Sequence, residues 1–195
     1  MESNHTFIQN LKIEDVPWHR LTTAYGRATD FPEYFQIIQE MSEIDRVSEA
    51  MTEIVSCIEH QGTLWHSTPL AMAIFARIFE NAVSKMDTNE SARFIAGNLL
   101  ELFQIIAVCF QDAQEMGFAD DDPLPNFSDL LKEEYLWSEE YDPDEDEARY
   151  EDEPFPEELF CSFWFYSYEV LQYLKPILEK LEGTALDAEN VLTLL

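Results

Sequence analysis

Along most of this chain apolar residues recur at steps of three and four, the spacing that gathers them on one face of an α-helix. Phe31 and Pro32 open a helix behind Asp30, a natural N-cap, with Tyr34, Phe35, Ile37 and Ile38 as its apolar residues. The next helix carries Ile44, Val47, Met51, Ile54 and Ile58 on one face, and Gly62 ends it, since glycine tolerates a left-handed backbone. Ser67, Thr68 and Pro69 restart the chain into a third helix, whose buried stripe is Leu70, Ile74, Phe75, Ile78, Phe79, Ala82 and Met86. A fourth, capped by Thr88 or Asn89, runs through Ile95, Leu99, Leu102, Ile106, Cys109 and Ala113 and ends near Gly117. Phe94, Phe103 and Phe110 widen its stripe, so it has neighbours on more than one side. Ala119–Asn126 reads as a loop and Phe127–Trp137 as a short amphipathic helix. A long apolar helix then spans Glu157–Glu182, kinked at Pro176 and ended by Gly183, followed by a short one over Asp187–Leu194. Strand-like alternation and hairpin turns are missing, so the expected fold class is all-α.

Composition fits one domain with a real core. The chain has 195 residues, of which 46% are hydrophobic, so its charge does not come with the apolar poverty of a disordered protein. That charge is extreme: 11 basic residues face 40 acidic ones, a formal net of −29. The excess is concentrated in Ser138–Glu158, where twelve carboxylates face one base, Arg149. Nucleic-acid phosphates and anionic membranes are therefore excluded as partners, because both are bound through Lys and Arg. A basic protein or a cation is favoured instead. Residues 138–156 are expected to form a solvated, mobile acidic loop.

No basic and apolar leader is visible at the N-terminus, and no apolar run reaches the length of a membrane span. The three cysteines, Cys57, Cys109 and Cys161, fit no disulfide framework and no CxxC zinc pattern. A reducing, cytoplasmic setting follows. The cysteines are 52 residues apart in both intervals. Such spacing is what one core position in three stacked helix pairs would give.

Trp18, Tyr25, Gly26, Ala28 and Pro32, followed by His60, Gln61, Gly62, Thr63 and Thr68, form a W…YGxA…P…HQGT…T pattern. It resembles the N-terminal part of bacterial HEAT-repeat proteins and covers about a third of the chain. The resemblance implies an α-α superhelix, a HEAT-like stack of about three antiparallel helix pairs, which offers an extended surface to another macromolecule and carries no enzymatic activity. The signature residues are expected to pack the first helix pair and to hydrogen-bond its turn.

Chemistry-bearing residues are few. No Ser-His-Asp or Cys-His arrangement and no phosphate-binding glycine loop can be assembled, so no catalytic residue and no cofactor is assigned. His60 and His66 are read as structural, His60 at a helix end and His66 at the next helix entry. Asp142, Asp144, Asp146 and Glu153 fall at positions 1, 3, 5 and 12 of a calcium-loop pattern, but Glu147 stands where that loop needs glycine. The aromatic string Phe160, Phe163, Trp164, Phe165, Tyr166, Tyr168 and Tyr173 is read as core, with a self-association face, and so a homo-oligomer, as its alternative. The leading expectation is a protein–protein interaction module that binds a basic partner, for instance a bacterial immunity protein acting on a nuclease toxin. Its contacts would be Asp142, Asp144, Glu145, Asp146, Glu147, Glu151, Asp152 and Glu153. The alternative is a cation-binding regulatory protein or a metal hydrolase built on the same carboxylates.

Overall fold

Trp18 opens the hydrophobic centre, its ring lying 5.6 Å from Phe31 and 5.3 Å from Phe35. The computed structural model describes residues 3–117, 122–152, 155–181, 184, 186 and 188–195. Helix α1 (Asn4–Asn10) is followed by 3-10 turns at Ile13–Asp15 and Trp18–Arg20 and by a hairpin of β1 (Thr22–Thr23) and β2 (Gly26–Arg27). Then come α2 (Phe31–Glu40), α3 (Ile44–Ile58), a second hairpin of β3 (Glu59–His60) and β4 (Thr63–Leu64), α4 (Ser67–Lys85) and α5 (Glu90–Glu115). The C-terminal part holds 3-10 turns at Phe127–Leu131 and Glu133–Tyr135, α6 (Pro143–Asp152), α7 (Glu157–Leu178) and α8 (Glu189–Leu192). Among the described residues the fold is all-α, with two minimal hairpins between its helices.

Packing runs from one helix pair to the next. α2 lies on α3, both touch α4, and α3 also touches α5. α4 and α5 lie on each other and on α7, while α8 closes against α5 and α7. α4 is the central element: Ser67 to Ala76 is buried without interruption, so it has protein on every side. Aromatic edges tie the layers together, Phe35 to Phe75 at 5.2 Å and Phe79 to Phe103 at 5.2 Å. Each such fully buried side chain stabilises the fold by about 1.5–3 kcal/mol.

Several expectations need correction. Gly62 does not simply stop a helix. Gln61 (φ 53°) and Gly62 (φ 82°) are both left-handed and form the two-residue turn between β3 and β4, the geometry that matches strand twist. Asp30 stands at the N-cap position of α2 without a capping bond from its side chain, whereas Asn89 does cap α5 by accepting from the Ala92 amide at 2.9 Å. Phe127–Trp137 is two 3-10 turns rather than one helix, and α1, which has a Ser3 cap, was not legible in the spacing. α5 is long and apolar enough to cross a bilayer by length and composition, but half of its most apolar window is buried inside the protein. The equal cysteine spacing marks no shared position: Cys57 and Cys109 lie late in α3 and α5, Cys161 early in α7. Gly183 and Asp187 lie outside the described residues, as do residues 119–121 of the expected loop.

Candidate protein-binding surface

The acidic run is helical in its middle, where a loop was expected. Pro143–Asp152 is α6, and the reason is local. Asp142 accepts from the amides of Asp144 (3.0 Å) and Glu145 (3.3 Å), which is N-cap chemistry, and Pro143 supplies a preset first helical residue. Asp144, Glu145 and Asp146 then fill the first turn, where the helix dipole favours negative charge. An apolar face is not needed to start such a helix.

One arginine fixes α6 to the body. The side chain of Arg27, on β2, is 4% exposed and uses all five of its donors. Nε and Nη2 grip the two oxygens of Asp146, each at 2.6 Å. Nη1 donates to the carbonyls of His19 (2.9 Å) and Ser138 (2.7 Å), and Nη2 also reaches that of Glu140 (3.3 Å). The guanidinium lies 5.5 Å from the Trp137 ring centre and 5.4 Å from that of Tyr141, both within cation–π range. Arg20 reinforces the join with a two-pronged pair to Glu133 and a bond from Nε to the Trp137 carbonyl. Its guanidinium, chiefly by hydrogen bonding to the carboxylate, holds the Glu133 carboxyl below the usual carboxylate range. Neither arginine was singled out from sequence; the pairs span more than a hundred residues and leave no local signal.

The expected contact residues therefore separate. Asp146 is buried and internally matched, and Asp142 is committed to its cap although exposed. Asp144, Glu145 and Glu147 face solvent. Glu151 and Asp152 lie on α6, but their side chains, with Glu153, lie outside the described residues. Of the calcium-loop positions, Asp144 and Asp146 lie on α6 and both oxygens of Asp146 are taken by Arg27, while Glu153 lies outside the described residues. Among the described residues no three His, Cys, Asp or Glu side chains converge as metal ligands.

Of the N-terminal signature residues, Tyr25 and His60 meet directly. The Tyr25 hydroxyl is hydrogen-bonded to Nδ1 of His60 at 3.1 Å, so the tips of the two hairpins meet. His60 belongs to β3, not to a helix end. Thr68 staples α4 to α3, accepting from the Trp65 amide (2.8 Å) and donating to the Ile58 carbonyl. Trp18 donates from its indole to the Ile13 carbonyl at 2.8 Å. His66 is fully buried, stacked on Phe163, and Nε2 donates to the Leu130 carbonyl at 2.8 Å. Desolvation pulls its pKa down to about 4, so it is neutral in the fold. Burial pushes the Cys109 thiol up to about 12 and raises that of Cys57, which leaves neither as a thiolate nucleophile at neutral pH. The aromatic string packs inward: Phe163, Trp164 and Tyr166 are buried, and Tyr168 stacks on Phe110 at 4.2 Å. No protein-family model, curated protein or solved structure matches this chain.

Proposed function

We propose that this chain is a non-enzymatic interaction module for a basic partner protein, built as a HEAT-like stack of the pairs α2–α3, α4–α5 and α7–α8. The succession of contacts from pair to pair supports the stack. The observation that carries the partner class is α6. It is held by a buried arginine, yet presents Asp144, Glu145 and Glu147 to solvent. A fixed row of carboxylates costs less to order on binding than a mobile one, and it steers a cationic surface during encounter. In its most concrete form the partner is a bacterial nuclease toxin, whose phosphate-binding groove an acidic protein fills.

A direct test measures binding to a purified basic nuclease at low and at physiological salt. Affinity that falls with salt and drops when Asp144, Glu145 and Glu147 are neutralised together supports the reading. Calorimetry with calcium, magnesium and zinc separates the cation-binding alternative. Micromolar affinity abolished by Asp144→Asn would replace the proposed partner with a metal ion.

A further inference from the structure

A second surface lies on α3 and α5. On α5, Phe94, Asn98, Glu101, Ile105, Val108 and Asp112 follow one another at steps of four and three, so they form one stripe along the helix. This stripe is about 27 Å long at 1.5 Å per residue. It faces α3 across a hollow of about 280 Å³, whose other wall includes Met51, Val55 and Glu59. A second hollow of about 440 Å³ continues from Glu59, Glu101 and Ile105 to Val108 and Asp112. Ile105 and Val108 are 42% and 39% exposed, unusual for aliphatic side chains in the middle of a long helix.

The charge of this groove is one-sided. Glu59, Glu101 and Asp112 line it, and among the described residues no Lys or Arg does. The neighbouring base on α5, Arg93, donates to the Met86 carbonyl. A second copy of the chain docked symmetrically here would set these same carboxylates against each other. A zwitterionic lipid surface has no net positive charge to set against them.

We infer that the α3–α5 groove docks an amphipathic basic helix of the partner, with apolar residues against Ile105, Val108 and Val55 and Lys or Arg against Glu59, Glu101 and Asp112. Helix-in-groove recognition reads such a ligand as anchors at i, i+3, i+4 and i+7. The inference rests on the basic-partner reading and adds to α6 a second contact on another face.

The probe is a synthetic peptide of about 18 residues, matching the groove's length, with Leu at helical spacing and Lys elsewhere. A shuffled peptide of the same composition is its control. The intact protein should bind the patterned peptide at least about ten-fold more tightly than the shuffled one, because only the first presents an apolar stripe. The double substitution Ile105→Gln, Val108→Gln should weaken the patterned peptide by about ten-fold with the circular dichroism spectrum unchanged, since both residues are solvent-facing. Neutralising Asp144, Glu145 and Glu147 on α6 should change that binding by less than about two-fold. Equal binding of both peptides, or no effect of the double substitution, overturns the groove. If the α6 variant alone then loses peptide, the basic-partner reading survives without the groove. If neither peptide binds at low salt, the groove falls, and salt-sensitive binding of a basic nuclease still decides the basic-partner reading. A wild-type dimer that the double substitution converts to monomer, or equivalent binding to phosphatidylcholine vesicles, assigns the groove to another occupant and overturns the inference.

Discussion

α6 and the α3–α5 face both present carboxylates, but they are held in opposite ways. α6 has little apolar surface with which to pack; its place depends on one buried arginine, one cap and the carbonyls of the segment before it. The α3–α5 face stands on the main core, where Ile54, Ile58, Leu99, Leu102 and Ile106 are buried beneath it. The first surface is specified by a few strong polar contacts and the second by many weak apolar ones. Loss of one residue should therefore matter very differently in the two places.

The comparison breaks most sharply at Arg27. Arg27→Ala leaves Asp146 under cover without a counter-charge and five hydrogen bonds unmade. Breaking one side of a buried ion pair costs about 3–5 kcal/mol, and most of it should fall locally. Hydrogen exchange should show α6 amides losing protection while those of α3 and α5 keep theirs. Equal loss everywhere would mean that the arginine supports the whole fold. Arg27→Lys should rescue little, because an ammonium cannot bind both oxygens and three carbonyls in one plane.

Acid acts on the body beneath both surfaces. His66 is neutral and buried with a pKa of about 4, below its ordinary value of 6.5. The unfolded chain therefore takes up a proton that the fold refuses. Stability is fully present above about pH 6.5 and is lost as pH falls toward 4, by about 3 kcal/mol in all. Denaturant midpoints measured at pH 7 and pH 4.5 should differ more for the wild type than for His66→Gln, which keeps a donor for the Leu130 carbonyl and does not titrate. Leu130 precedes the segment that carries α6, so acid should loosen the attachment of that segment before the α3–α5 face.

Asp142 gives a smaller effect. Asp142→Ala removes the cap from the Asp144 and Glu145 amides and should cost about 1 kcal/mol, confined to the first turn of α6. Amide exchange at those two residues measures it. If the first turn is unaffected, Arg27 alone holds the helix.

Legibility in the sequence follows the same division. The spans of α2, α3, α4 and α5 were readable because their stability comes from apolar stripes, and stripes are periodic. The two hairpins were not, because two-residue strands are too short to alternate. Gln61-Gly62 is the available signal, but a glycine four residues past a helix fits a terminator equally well. α6 was hidden since its determinants are polar: Asp142-Pro143 is a helix start, but in a run of carboxylates it looks like a break. Arg27 could not be found at all, because its partner Asp146 lies 119 residues away. On α5 the buried stripe was read correctly through Ile106 and Cys109. Ile105 and Val108 then fall on the open side of the same helix, a consequence of 3.6-residue periodicity that the apolar run Ile105–Phe110 conceals.

The smallest stability effect should belong to the groove, and that is what makes it informative. Ile105 and Val108 are partly hydrated already, so replacing both with Gln removes little burial and leaves no cavity. The expected change is within about 0.5 kcal/mol, typical of surface positions. Gln is also a better helix former than Val, which offsets part of any loss. Thermal unfolding of the double variant should therefore overlay that of the wild type. A clear rise in midpoint would mean that exposed apolar side chains are a burden on the isolated chain, as expected of a surface kept for a partner. A clear fall would mean that these two residues support α3 and α5 against each other, and the division between a polar-pinned arm and an apolar-backed face would have to be redrawn along α5.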